Sequence, residues 1–208
     1  GVINLVTADA KNSIEIGKAL CDSPLVRHLS FTGSTPVGRI LMEQCAPTIK
    51  KVALELGGHA PFIVFEDADL DAAVSGAMQS KYRNAGQTCV CTNRFYVHAK
   101  VYDSFVEKLA ARVSGTLSVG EGFEDKVTTG PLIDDAAIAK VQEHVADAIA
   151  KGAKVALGGS DSVKAPFVEP VILLDVPENS TAMLEETFGP TIAINRVKSM
   201  AEAIALSN

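Results

Sequence analysis

A chain of 208 residues, 47% hydrophobic and 21% charged, has the make-up of one or two globular domains with a sizeable core. A net charge of -6 and a pI near 5.2 exclude a general nucleic-acid binder, whose phosphate contacts need a basic face. No apolar run reaches the roughly 20 residues of a membrane span, and four cysteines in a chain this long are not a secreted disulfide framework, so a cytoplasmic, reducing location is expected.

The chain opens without Met on VINLV (residues 2–6), which reads as a strand, and a helical pattern comes next around residues 11–21. Residues 27–31 (RHLSF) read as the next strand, leading through FTGSTPVG into a helix with Thr35 as N-cap and Pro36 as its first residue. KKVALEL (50–56) alternates like a strand and stops at Gly57-Gly58, the most natural domain junction. PFIVF (61–65) is a further strand. It feeds a helix over about 69–84, with Leu70, Val74, Ala77 and Met78 on one stripe and Gly86 ending it.

CVCTNRFYV (89–97) returns as a strand. Helices are expected at about 101–114 and 134–151, the second opened by Asp134, with strands at 153–157, 168–174 and 191–195. SMAEAIALSN closes the chain in a helical pattern, so the sequence reads as a piece of a longer protein, truncated at both ends. Strands and helices alternate throughout, which predicts an α/β fold with a largely parallel sheet flanked by helices.

Several short stretches have chemical potential. A small-residue turn feeding a helix, as in FTGSTPVG, offers backbone N–H groups to a phosphate, but it is also an ordinary strand–helix turn capped by Ser34 or Thr35. Glu55 ends an apolar strand, where partial desolvation would suit a general base; equally, Lys51, Ala53 and Glu55 share one parity and could form a polar face. Cys89 follows a Gly-Gln turn that could present a thiol beside its own backbone N–H. The C-x-C spacing with Cys91, and four scattered histidines, do not make a metal site.

On a strand, Cys89 and Cys91 would share a face near the upper limit of disulfide reach, which makes Cys91 a candidate redox partner. Arg83, in the last turn of its predicted helix, either complements the dipole or clamps a carboxylate. EETFGP (185–190) reads as a helix start and loop, or as a carboxylate placed for sugar hydroxyls.

In order and spacing, FTGSTPVG, LELGGHAPFIV, GQTC and EETFGP resemble the aldehyde dehydrogenase superfamily across essentially the whole chain. CDSPLVRHLSFTGST, ELGGHAPFIVFEDADLDAAVSGAM and YRNAGQTCVCTNRF are most similar to the succinate-semialdehyde dehydrogenases within it. The resemblance implies residues 1–57 as the end of an NAD(P)-binding domain and 58–208 as an incomplete catalytic domain. It also implies NAD or NADP as cofactor, a small carboxylated aldehyde as substrate, and a homo-oligomer. Cys89 matches the nucleophile that forms a thioester, and Glu55 the base that activates the hydrolytic water. Gly33 and Ser34 match positions beside the cofactor pyrophosphate; Glu186 and Phe188 match contacts to the nicotinamide ribose.

Arg83 stands six residues before Cys89, where relatives that oxidise apolar aldehydes commonly carry an aromatic, and so resembles a clamp for a distal carboxylate. His59 after ELGG, and VTADAKN after the first strand, depart from the usual family pattern. The early cofactor-domain strands and the second oxyanion donor lie outside this sequence, so the isolated piece is expected to fold in part without turning over. The alternatives are another ω-carboxy aldehyde such as glutarate semialdehyde as substrate, or a thiol redox module using Cys89 and Cys91 without turnover.

Overall fold

A computed structural model describes residues 1–208, which divide into two units, Gly1–Gly57 and Gly58–Asn208. In the first unit, α1 (Ala10–Asp22) starts on Asp9, whose carboxylate accepts the Asn12 N–H at 2.8 Å. Strand β1 (His28–Thr32) pairs in parallel with β2 (Lys51–Glu55), and α2 (Thr35–Cys45) connects them. Cys21, Leu29, Leu41 and Cys45 form the small core of this unit.

Two expectations fail here. Residues 2–6 are not a strand: Val2, Ile3, Leu5 and Val6 stand exposed, and no neighbouring strand takes up their backbone groups. The N-cap of α2 is Ser34 rather than Thr35, its hydroxyl accepting the Val37 N–H at 3.5 Å, so Pro36 falls at the second helical position.

The second unit is built on a five-stranded sheet made by β3 (Ala60–Val64), β4 (Thr92–His98), β5 (Lys154–Leu157), β8 (Val171–Leu174) and β9 (Thr191–Val197). Its order is β3-β4-β9-β8-β5, parallel except for the edge strand β5. A small hairpin, β6 (Val163–Lys164) with β7 (Phe167–Val168), precedes β8. The strand expected over 168–174 is therefore split, because Pro170 has no N–H for a ladder.

Because side chains alternate across a strand, each central strand feeds two cores. Phe95, Val97, Ile172, Ile192 and Ile194 pack with Val74 and Ala77 of α3 (Leu70–Lys81) and with Phe105, Leu109 and Val113 of α4 (Tyr102–Thr116). From the opposite face, Tyr96, Val171, Leu173 and Ala193 pack with Ile138, Val141, Val145 and Ala148 of α5 (Asp135–Ala150). Asp134 caps α5 as its sequence suggests, accepting the Ala137 N–H at 2.8 Å. A single-turn helix α6 (Thr181–Leu184) and α7 (Met200–Ser207) complete the unit, and no helix of the chain is long and apolar enough to cross a membrane.

Asn195 on β9 ties the sheet to the segment after β8. Its Oδ1 accepts the Val176 N–H and its Nδ2 donates to the Val176 carbonyl, each at 2.7 Å, so both backbone groups depend on one buried side chain. Asn195→Leu strands both, and should lower stability by about 2 kcal/mol and Tm by about 4–8 °C in a chain of this size. An unchanged melting curve would show that the segment finds other partners.

Candidate functional site

Helix α3 ends at Lys81, earlier than its apolar stripe suggests, and gives way to a strained turn. Asn84, Ala85 and Gly86 are all left-handed, with φ of 53°, 56° and 75°. Only glycine adopts this region freely, so Asn84 and Ala85 are held there at a cost of roughly 1–2 kcal/mol per residue. Gln87 is the clamp. Its backbone N–H and side-chain Nε2 both donate to the Asn84 carbonyl, Asn84 Nδ2 donates back to the Gln87 carbonyl, and Gln87 Oε1 accepts the Ile133 N–H at 2.9 Å.

Cys89 lies immediately beyond, in a tight turn closed by the Cys91 N–H on the Thr88 carbonyl at 3.1 Å. It is not on a strand, because β4 begins only at Thr92. As a central residue of that turn, Cys89 keeps its own N–H out of the closing bond. Its thiol is free and exposed, whereas Cys91 is buried, with its sulfur 2.6 Å from Thr88 Oγ1 and 3.4 Å from the Lys81 carbonyl. Off the strand, the alternation that would place the two cysteines on one face does not apply to Cys89, which sits in a turn instead. Arg83 is also displaced: it stands past the end of α3, exposed, and joins none of the chain's ion pairs.

Residues 185–190 are not a helix start. They come after α6 as an irregular loop in which Phe188 is left-handed, φ 55°, an outlier for a bulky residue. Two glycines join this loop to the cysteine turn. A Cβ on Gly86 would stand 2.3 Å from the Gly189 carbonyl oxygen, and one on Gly58 would stand 2.6 Å from the Cys89 carbonyl oxygen. The Gly58 N–H donates to Glu186 Oε1 at 3.3 Å. Gly58 with Cys89, and Gly86 with Gly189, thus meet through contacts that admit no side chain, and the Glu186 carboxylate joins them through the Gly58 N–H.

Three buried or half-buried side chains that the sequence did not single out for chemistry support the loop. His59 Nε2 donates to the Met183 carbonyl at 3.0 Å, leaving Nδ1 as a buried acceptor with no partner. Burial, and then the nearby Arg94 charge, hold its imidazole down at about 4. His144 of α5 is buried, with Nδ1 3.1 Å from Thr187 Oγ1, and burial lowers it too. Lys81 is fully enclosed and hydrogen-bonded to Asn93 Oδ1 at 2.6 Å.

In the first unit, Glu55 ends β2 on its exposed parity, and its carbonyl accepts the Gly33 N–H at 3.0 Å, which brings the FTGST turn beside it. Ser34 is exposed at the start of α2, whose first turn holds no acidic residue, so an anionic group would meet donors there. In the second unit, Glu186 is half-exposed and Gly58 engages only one of its oxygens, so the other is left to accept from a hydroxyl. Within its own unit, each set has a matching chemistry: the start of α2 suits a phosphate, and the second Glu186 oxygen suits a sugar hydroxyl.

The model of the aldehyde dehydrogenase family matches residues 1–208. The chain belongs to the aldehyde dehydrogenase family. It is 58% identical to a glutarate-semialdehyde dehydrogenase of Pseudomonas aeruginosa and 57% identical to an NADP(+) succinate-semialdehyde dehydrogenase of Escherichia coli, in each case over 100% of this chain and 42% of the relative. A crystal structure of succinate-semialdehyde dehydrogenase from Burkholderia pseudomallei, 56% identical, superposes with a TM-score of 0.92 over 98% of this chain and 42% of that one. The chain thus spans about 42% of the length of the curated family members it matches.

The two histidines make stability depend on pH. Each is lowered on folding below its unfolded value of about 6.5, so the unfolded chain binds more protons on the acid side. Stability is full above about pH 6.5 and falls as pH drops, for His59 until about pH 4 and for His144 in the same direction, with a slope of at most about 1.4 kcal/mol per pH unit for each histidine and less for half-exposed His59. In urea titrations between pH 7 and 5, His59→Asn and His144→Gln should each flatten that slope. Slopes equal to the wild-type chain would contradict the assignment.

Proposed function

We propose that the protein to which this chain belongs oxidises succinate semialdehyde, or a close ω-carboxy aldehyde, to the acid with NAD or NADP. The observation that carries this reading is an exposed guanidinium, Arg83, and an exposed thiol, Cys89, on either side of the left-handed turn locked by Gln87. A guanidinium at one end suits a carboxylate, while a thiol at the other suits a carbonyl carbon. Relatives named for succinate and glutarate semialdehydes support the same pairing.

In this reading the Cys89 thiolate attacks the aldehyde carbon, and the Cys89 N–H donates to the oxygen that becomes negative. NAD(P)+ supplies, when bound, the acceptor for the hydride whose departure leaves a thioester on Cys89. Glu55 takes a proton from water, the resulting hydroxide attacks the thioester carbon, and the C–S bond breaks to give the thiolate and the carboxylic acid, which releases its proton to solvent as the carboxylate. Ser34 offers donors to the pyrophosphate with Gly33 lying beside it, and Glu186, with Phe188 beside it, receives ribose hydroxyls. Residues 1–57 then belong to the cofactor-binding domain and 58–208 to the catalytic domain. Cysteine usage supports a cytoplasmic location, and family resemblance supports a homo-oligomer.

Arg83 gives the sharpest test. In a full-length polypeptide carrying this segment, Arg83→Ala should lower kcat/KM for succinate semialdehyde about 10- to 150-fold, the worth of a hydrogen bond to a charged group. A neutral aldehyde of similar length should lose less than about threefold by the same substitution, since it makes no such bond. Equal losses on both would remove the clamp, and ranking kcat/KM across ω-carboxy aldehydes of increasing length separates succinate from glutarate semialdehyde.

A further inference from the structure

Lys81 is the only Lys, Arg, Asp or Glu that the fold encloses completely. Its ammonium has one identified acceptor, Asn93 Oδ1 at 2.6 Å, while Asn93 Nδ2 is itself buried without a partner. Its carbonyl accepts the Cys91 thiol at 3.4 Å. Its Cε lies 3.3 Å from where a Cβ on Gly86 would stand, the same point that lies 2.3 Å from the Gly189 carbonyl oxygen. The side chain therefore runs beneath the place where the Arg83–Cys91 turn meets the Glu186–Gly189 loop.

The titratable groups facing it are Cys91 before β4 and Glu186 before β9, which favour its charge, and His59 before β3, whose protonation it opposes. An enclosed ammonium held by a neutral amide is a poor stabiliser; an apolar side chain would fill the end of α3 at lower cost.

We propose that Lys81 is a positioning residue for the candidate site, its buried ammonium on Asn93 fixing the turn that carries Cys89 against the loop that carries Glu186. The inference rests on the proposed function only for the importance of that alignment. Burial lowers Lys81 to about 8, against about 10.4 for an exposed lysine, so it loses its charge in mildly alkaline solution. This has two effects of opposite sign. Between about pH 8 and 10.4 the unfolded chain binds more protons, so global stability contributed by this group rises with pH. The charged hydrogen bond that aligns turn and loop weakens over the same rise, so local protection falls.

Amide hydrogen exchange of peptides spanning 83–93 and 185–191, corrected for intrinsic rates, together with urea unfolding from pH 6.5 to 9.5, tests this in the present chain. In the wild-type chain, protection in both peptides should fall about fivefold across pH 8, the difference between charged and neutral hydrogen bonds, while the urea midpoint holds or rises. Lys81→Met should show low protection at every pH, no step near pH 8, and a urea midpoint at pH 7 no lower than wild type. Lys81→Arg, whose charge persists, should keep protection through pH 9.5; if its bulk unfolds the chain, Lys81→Met alone decides. Wild-type protection in Lys81→Met, a step that survives there, or a urea midpoint that falls with protection would overturn the proposal, the last showing a mere structural prop. No aldehyde or cofactor enters these readouts, so they fail independently of the assignment of Cys89.

Discussion

The candidate site depends on two backbone contacts that have no room for a side chain. Gly58 lies against the Cys89 carbonyl, and Gly86 lies against the Gly189 carbonyl. An alanine at either position would place a carbon 2.6 or 2.3 Å from an oxygen, and backbone carbonyls have little freedom to retreat. Through these contacts a strand start, a post-helical turn and a pre-strand loop become one arrangement. Everything chemical in the second unit is hung on it: the exposed thiol, the guanidinium across the turn, and the carboxylate that accepts the Gly58 N–H.

Strain is stored at the same place: three of the six left-handed non-glycine residues of the chain, Asn84, Ala85 and Phe188, lie within two residues of Gly86 or Gly189. Such conformations persist only where surrounding bonds over-determine them, here those of Gln87, His144 and the packing of Gly189 against Val141. The parallel sheet supplies the rigidity behind them, because β4 and β9, which come after the turn and the loop, are hydrogen-bonded neighbours.

Much of the architecture was legible in the sequence because it rests on periodicity and caps. The alternation of strands and helices, the stripe of α3 and the Asp134 cap all express local rules, and the structure keeps them. Legibility ends where local rules do. An apolar stripe cannot reveal that α3 stops at Lys81, since left-handed Asn84 and Ala85 carry no signature of their own conformation. VINLV has the composition of a strand but no neighbour to pair with, and a strand is defined by its ladder. Cys89 and Cys91 looked alike in the C-x-C pattern, yet one is exposed and the other sealed beneath α3, a difference only tertiary packing creates. Lys81 gave no signal: at a helix end a lysine is an ordinary complement to the dipole, and nothing in its neighbours announces that it is enclosed.

The proposed function stands or falls on Cys89 carrying the substrate as a thioester that Glu55 helps to hydrolyse. The decisive experiment is peptide mass spectrometry on a full-length polypeptide carrying Glu55→Gln, quenched with acid during exposure to succinate semialdehyde and NAD(P)+. A succinyl adduct should build up on the Cys89 peptide to near one per chain and be absent when the dinucleotide is omitted, because hydrolysis is slowed while acylation is spared. A Cys89 peptide that stays unmodified while reduced dinucleotide is produced, or an adduct on Cys91 instead, would contradict it.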